Sequence, residues 1–173
     1  MNENCVPYKR KSLYLLMTLP MIVLYIVVAA HLWTVGIIIF TIYCAFFVMV
    51  AISMGYVCVH WRCPYIGKFG PCAGGFCLPA SQIARLFKKL KRSETTYHIV
   101  ISVAYANFFG ILFFPVYFMY KLGIIYLLAY LGVNIVYWLC LLLFICPFCG
   151  TRHVCHGGQT AIQFRELLTR RSV

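Results

Sequence analysis

Four long apolar stretches without Asp, Glu, Lys or Arg constrain this chain more than any other feature. They run over Ser12–Ala30, Trp33–Tyr56, Tyr97–Tyr120 and Gly123–Ile145. About 20 apolar residues in a helix cross the hydrocarbon layer of a bilayer. Backbone polar groups in lipid must be satisfied internally, and these stretches are too long for barrel strands. The sequence therefore predicts an all-α membrane protein with four transmembrane helices.

The composition agrees with a lipid environment. Hydrophobic residues make up 64% of the chain and charged residues 10%, so a soluble chain of this kind could not cover its own core. The net charge of +12 could suggest nucleic acid, but no basic groove with interleaved aromatic residues is visible. We interpret the basic residues as a surface that contacts anionic lipid headgroups, and we expect no nucleic-acid partner.

The basic residues predict the orientation of the helices. Fourteen of the 15 lie before the first stretch, between the second and third, or after the fourth. The two short hairpin turns on the other side, expected near Ala30–Thr34 and Tyr120–Gly123, hold only Lys121. Basic loops stay in the cytoplasm. We therefore expect a protein of the cytoplasmic membrane, with both termini and both cysteine-rich loops on the cytoplasmic side.

A thirteen-residue motif occurs twice, 83 residues apart, beginning at Cys63 and at Cys146. Both copies read Cys-Pro-aromatic-x-Gly, four variable residues, then Cys-x-Gly-Gly. A fixed-period repeat indicates a duplicated structural unit. The sequence predicts tandem repeats at residues 1–92 and 93–173, related by a pseudo-two-fold axis along the membrane normal. Each repeat would comprise a helical hairpin, a Cys-rich cytoplasmic segment and a basic amphipathic helix.

The amphipathic helix is clearest after the first cysteine segment. Its apolar residues Ile83, Leu86, Phe87 and Leu90 have helical spacing on one face, and five basic residues fall off that face. The second tail, Ala161–Arg171, has a weaker version of the pattern. Both tails are typical of helices that lie on the membrane surface.

Seven of the ten cysteines lie in the two predicted cytoplasmic segments. The first segment contains Cys58, Cys63, Cys72 and Cys77, and the second contains Cys146, Cys149 and Cys155 with His153 and His156 beside them. Thiolates and imidazoles are the ligands that zinc and iron–sulfur clusters use in proteins. These nine residues are therefore the candidate metal ligands.

Three chemistries other than catalysis compete for these cysteines. Structural disulfides are disfavoured in a reducing cytoplasm. Zinc needs four ligands in a tetrahedron, which either segment can supply. Iron–sulfur clusters are held by thiolates in tight turns, where Pro and Gly let the backbone approach the cluster, and both segments have these residues. We expect one or two [4Fe–4S] clusters, with zinc as the alternative, and electron transfer at the cytoplasmic face.

The sequence favours two metal centres, and one shared centre is the alternative. With two centres, the first would use the four cysteines of segment one. The second would use Cys146, Cys149, Cys155 and a fourth ligand, which is His153, His156 or Cys140. With one centre, the matched pairs Cys63/Cys72 and Cys146/Cys155 would converge at the pseudo-two-fold axis.

Thiol–disulfide exchange is the catalytic alternative. Cys146 and Cys149 form a Cys-x-x-Cys motif, which can cycle between dithiol and disulfide. With its four spans, the chain resembles the membrane quinone–thiol oxidoreductases of the disulfide-bond B and vitamin K epoxide reductase families. The resemblance implies a quinone partner and a redox role for these two cysteines. Those families place their redox cysteines on the oxidising side of the membrane and lack the duplicated motif.

The remaining sequence features narrow the functional class. No acidic or basic side chain lies inside a span, which argues against a pump or transporter. His31 and His98 lie at opposite ends of their spans and could not share a haem. Because so little of the chain lies outside the bilayer, we expect it to work with other subunits of a membrane redox complex or as a homo-oligomer. A further alternative is a non-catalytic subunit in which zinc only stabilises the two cysteine segments.

Overall fold

The computed structural model describes residues 11–63, 65–66, 77–87, 93–149, 152–153 and 155–170 of the chain. Their helices are α1 (Lys11–Val35), α2 (Ile37–His60), α3 (Cys77–Phe87), α4 (Glu94–Leu122), α5 (Ile124–Cys140) and α6 (His156–Arg170). A π-helical turn (Leu141–Ile145) and a 3-10 turn (Cys146–Phe148) continue α5. The described residues contain no strand, so the predicted all-α class is confirmed.

Four of these helices are long and apolar enough to cross a membrane, as predicted. They are α1, α2, α4 and α5 with its continuation to Phe148, and they contain 24 to 29 residues each. Large apolar side chains point outward along all four, including Leu16 at 69% exposure and Ile125 at 77%. A water-soluble protein rarely exposes so extensive an apolar surface. The protein is therefore suited to a lipid bilayer.

The four long helices form a closed bundle. Helix α1 packs against α2 and α5, and α4 packs against the same two helices. Helix α3 packs on α2, and α6 packs on the π-helical and 3-10 turns that follow α5. Each predicted repeat thus contributes two long helices and then a short one. The duplication and its two-fold axis remain inferences from the sequence.

The core of the bundle is lined by regularly spaced side chains. The buried residues of α1 alternate at intervals of four and three: Tyr14, Thr18, Met21, Tyr25, Val28 and Leu32. This spacing keeps one narrow face of a helix toward its neighbours. Large side chains from the other helices complete the core, among them Tyr43, Ile111 and Tyr130. The core is therefore unusually rich in tyrosine for a membrane interior.

Both hairpins turn at a single glycine. The first turn was expected near Ala30–Thr34, and that prediction is wrong, because α1 continues to Val35 and the chain reverses at Gly36. The helix continues since Leu32 is fully buried in the core and has the spacing of the buried face. The second turn is at Gly123, within the predicted range. Gly123 has a φ of 141°, a conformation that strains any other residue.

Helix α3 contacts α2 through small side chains. Ala80 and Ala84 are fully buried, and Ile83 lies over Gly55 of α2. Of the predicted apolar face, Ile83 contacts α2, whereas Leu86 is 78% exposed, as expected for a side chain that meets lipid. Small residues let two helices approach closely. The close contact with α2 therefore determines which face of α3 is buried.

Candidate metal centre

A cavity of about 250 Å³ lies at the end of the bundle that carries both cysteine motifs. Its walls come from α2, α3, α4, the end of α5 and the start of α6, and they are almost wholly apolar. Aromatic side chains are prominent among them: Trp61, Tyr65, Tyr105, Phe108 and Trp138. Arg152 is the one charged residue lining the cavity in the described part of the chain.

Five of the predicted ligands line this one cavity. They are Cys58, Cys63, Cys146, Cys149 and Cys155, and none of the five forms a disulfide with a described residue. The first two belong to segment one and the other three to segment two. The fold therefore brings the two segments together at a common space between the halves of the chain.

The two motif cysteines that precede proline have matching backbone hydrogen bonds. The amide of Cys63 donates to the carbonyl of Cys58 at 2.9 Å, and the amide of Cys146 donates to the carbonyl of Leu141. Both bonds reach back five residues, but they belong to different structures. At the end of α2 the bond is part of a Schellman motif, with Arg62 at a φ of 52° and its amide bonded to the carbonyl of Val59. At Leu141–Ile145 the bond belongs to a π-helical turn.

A second backbone hydrogen bond is also shared. The amide of Ile66 donates to the carbonyl of Cys63 at 3.4 Å, and the amide of Cys149 donates to the carbonyl of Cys146 at 3.2 Å. In the second copy Pro147 lies inside this turn. Proline has no amide hydrogen and a fixed φ, so it suits the start of such a turn. The two copies therefore share the hydrogen bond that links the motif cysteine to the residue three positions later.

The surroundings of Cys63 lower the pKa of its thiol and so favour the thiolate. A hydrogen bond from the Cys58 side chain lowers the pKa of Cys63, and the backbone amide of Tyr65 acts in the same direction. Burial opposes both effects, but the net pKa of Cys63 still lies below its ordinary value. Thiolates are the form of cysteine that binds metals and attacks disulfides.

We expect Cys58→Ala to slow alkylation of Cys63 in metal-depleted protein. Removing the Cys58 thiol removes the interaction that lowers the pKa of Cys63, so less thiolate is present near pH 7 and alkylation begins at higher pH. The measurement is the rate of iodoacetamide labelling at Cys63 as a function of pH, read by mass spectrometry. Cys44→Ala is the control and should leave the profile unchanged. An unchanged profile in Cys58→Ala would contradict the assignment.

Arg152 connects the second motif to the cavity wall. Its Nη1 donates to the carbonyl of Pro147 at 3.0 Å, and its backbone lies against Gly158 near the start of α6. A Cβ atom at Gly158 would lie 2.4 to 2.8 Å from backbone atoms of Arg152. The last glycine of the motif is therefore required for close approach of two backbone segments.

We expect Gly158→Ala to destabilise the protein by about 1–3 kcal/mol, because the new methyl group collides with the Arg152 backbone, which cannot rotate away. Gly157→Ala is a matched control, since a Cβ there meets only the Cys155 sulfur at 3.9 Å. Thermal unfolding in detergent micelles measures both variants. Equal stabilities would show that the Gly158 contact is not rigid.

The structure places none of the other predicted ligands that it describes in the cavity lining. His153 is exposed, does not line the cavity, and accepts a hydrogen bond at Nε2 from Arg152 Nε at 3.0 Å. Cys140 also lies outside the cavity lining. Cys72 and the side chains of Cys77 and His156 lie outside the described part of the structure.

The donor chemistry of the cavity suits a thiolate-bound centre. Soft thiolates in a site of low polarity favour zinc or iron–sulfur clusters. Within the described ranges, no three Cys, His, Asp or Glu side chains form a group that could hold a metal ion. The described cysteines therefore bind a metal only if their sulfurs approach one another, and Cys72 is the residue that the repeat matches to Cys155 as a further ligand.

An aromatic contact between α2 and α4 holds one wall of the cavity. Trp61 Nε1 donates to the Tyr97 hydroxyl at 3.1 Å, and the His60 ring stacks on Tyr97 with centroids 4.1 Å apart. His60 Nε2 lies 3.6 Å from a Glu94 carboxylate oxygen. The sequence patterns did not identify these residues, because none of them belongs to a repeated motif or a candidate ligand set. The position of Trp61 between Cys58 and Cys63 was the available signal.

No protein-family model matches this chain, and neither a curated protein nor a solved structure does.

Proposed function

We propose that this membrane protein binds one metal centre between its two cysteine segments and transfers electrons through it. The observation that carries the proposal is the pairing of Cys63 and Cys146. They occupy the same place in two copies of one motif, make the same backbone hydrogen bonds, and line the same cavity. A shared centre accounts for all three properties.

Cys63, Cys146 and Cys155 are the proposed ligands from the described residues, with Cys72 as the fourth. The three described cysteines line one cavity but do not form a metal-binding group in this structure, so binding requires their sulfurs to approach one another. This set is the one-centre arrangement predicted from the matched pairs. The common cavity favours it over two separate centres, which would instead need Cys77, His153, His156 or Cys140. Cys58 and Cys149 line the cavity beside the ligands and can hydrogen-bond to their sulfurs, as Cys58 does with Cys63.

A [4Fe–4S] cluster is the proposed group. Such a cluster accepts and donates one electron at a time. The apolar walls lower the local polarity, and Arg152 supplies positive charge near a group whose thiolates are negative. The glycines of the motif allow the backbone amides to approach the sulfurs. Zinc in the same place would give a structural subunit without electron transfer.

The cavity is proposed to face the cytoplasm. This orientation rests on the distribution of the basic residues, fourteen of which flank the ends that carry the cysteine motifs. The chain would exchange electrons there with other subunits of a redox complex, or with a second copy of itself.

A thiol oxidoreductase linked to quinone is the second candidate. The Cys58 and Cys63 thiols are hydrogen-bonded, and the adjoining cavity has aromatic walls with the buried, unpartnered Nε1 of Trp138 nearby in the described structure. In such a reaction two thiols give two electrons and two protons to a quinone, which yields a disulfide and a quinol. The same chemistry was expected at Cys146 and Cys149.

Assays for iron, acid-labile sulfide and zinc on one anaerobically purified sample test the proposal. Brown protein with iron, sulfide and a visible absorbance band that bleaches on reduction supports electron transfer. Colourless protein with bound zinc rejects it in favour of the structural subunit. Metal-free protein whose cysteines are alkylated only after reduction, and whose turnover with quinone is lost in Cys149→Ser or Cys63→Ser, favours the oxidoreductase.

A further inference from the structure

The interior of the bundle contains a group of polar side chains that do not line the cysteine cavity. We define the tyrosine cluster as Tyr25 of α1, Tyr43 of α2, and Tyr130, Asn134 and Tyr137 of α5. All five are at least nine-tenths buried. Tyr43 and Tyr130 lie about 9 Å along their helices from the hairpin turns, so the cluster is at membrane depth.

The rings of the cluster pack against a common neighbour. Tyr25 and Tyr43 both pack edge-on against Phe47, with centroids 5.2 and 5.1 Å apart. The Tyr25 hydroxyl lies near those of Tyr43, Tyr130 and Tyr137. Hydroxyl groups from three helices therefore converge on one region.

Several polar atoms of the cluster have no hydrogen-bond partner among the described residues. They are the hydroxyls of Tyr25 and Tyr43 and the Oδ1 atom of Asn134. The Tyr130 hydroxyl donates to the carbonyl of Leu112 at 2.9 Å, and its oxygen can still accept a hydrogen bond. Buried polar groups in native proteins are nearly always satisfied, by protein or by ordered water.

Because its side chains are neutral, the tyrosine cluster is suited to binding a neutral ligand. The described cluster offers two hydroxyl donors and several oxygen acceptors, which are the partners a water molecule needs. All of these side chains are neutral, and the four predicted spans contain no Asp, Glu, Lys or Arg. A cation would therefore lie in a membrane interior without a compensating charge, which is costly.

We propose that the tyrosine cluster binds one or more ordered water molecules, which bridge α1, α2 and α5 inside the membrane. The water satisfies Tyr25, Tyr43 and Asn134 together, so it joins the first hairpin to the second. This site is independent of the metal centre.

Radiolytic hydroxyl-radical footprinting of the purified protein tests the proposal, since X-rays make radicals from bound water inside the protein. We expect rapid oxidation at Tyr43 and Tyr130 despite their burial, and its loss at Tyr130 in the Tyr25→Phe/Tyr43→Phe variant. The same variant should melt about 2–4 °C lower for each lost hydroxyl. Tyr126→Phe, at a lipid-facing position on α5, is the matched control and should change neither reading.

Protection of Tyr43 and Tyr130 from the radicals would overturn the proposal. A rise in the melting temperature of Tyr25→Phe/Tyr43→Phe would overturn it as well, because removing an unsatisfied hydroxyl from a dry core is stabilising. Neither the oxidation nor the melting temperature depends on metal content, so a metal-free protein would still test whether the tyrosine cluster binds water.

Discussion

The Cys63→Ser protein is expected to lose its bound iron and sulfide almost completely, although the second cysteine motif remains intact. The reason is that Cys63 and Cys146 line the same cavity from opposite halves of the chain. A centre held jointly by both motifs cannot survive in one of them. Loss of even an outer-shell partner lowers metal affinity by 10- to 100-fold, so loss of a ligand should cost at least about tenfold.

The measurement compares iron, sulfide and the visible band in Cys63→Ser, Cys146→Ser and Cys44→Ser. The first two should have equally low contents. Cys44→Ser should resemble the original protein, since Cys44 lies inside α2 and outside the cavity lining. If Cys63→Ser and Cys146→Ser each retained half of the iron and sulfide, the motifs would hold separate centres and the shared site would be rejected.

Replacing Gly55 by Leu is expected to separate α3 from α2 and to open the cavity. A Cβ at Gly55 would already lie 2.8 Å from Cγ2 of Ile83 and 3.3 Å from the carbonyl oxygen of Ala80. A leucine cannot fit without displacing the α3 backbone, at a cost of about 1–3 kcal/mol or more. Ala80 and Ser81 of α3 line the cavity, so displacement of α3 exposes the thiols to water and oxygen.

Hydrogen–deuterium exchange of the α3 amides measures the separation, and the decay of the visible band in air measures its effect on the centre. Both rates should rise in Gly55→Leu. Gly132→Leu is the control, because a Cβ at Gly132 has nothing within 4 Å and a leucine there meets lipid. Unchanged exchange in α3 would mean that α2 and α3 are not packed as described.

The transmembrane architecture could be predicted because lipid leaves few alternatives. Four uncharged stretches of sufficient length require four helices, whatever their packing. The error at the first turn arose from a boundary that periodicity does not define. Leu32 continues the buried face of α1, and the helix ends only where Gly36 permits the chain to reverse.

The convergence of the two motifs was less predictable. The repeat identified Cys63 and Cys146 as equivalent, but the spacing favoured two centres and left one shared centre as the alternative. Their common cavity depends on long-range packing of α2 against α4 and of α5 against α1. Sequence periodicity carries no information about which helices are neighbours. For the same reason, the roles of Trp61 and Tyr97 in the cavity wall emerged only from the fold.

The sequence predicted that the motif glycines allow a close backbone approach, but it did not predict what approaches them. Gly158 was expected to allow close backbone approach to a cluster. The structure instead places the Arg152 backbone against it, so its first role is to fit α6 onto the preceding turn. Gly158 is thus required for packing, and it also lines the proposed binding site.

The stoichiometry of iron and acid-labile sulfide per chain, in protein purified without oxygen, tests the central claim most directly. One shared [4Fe–4S] centre predicts about four iron and four sulfide per chain. About eight of each would show two separate centres. Zinc alone, or no metal at all, would contradict electron transfer through a cysteine-bound cluster.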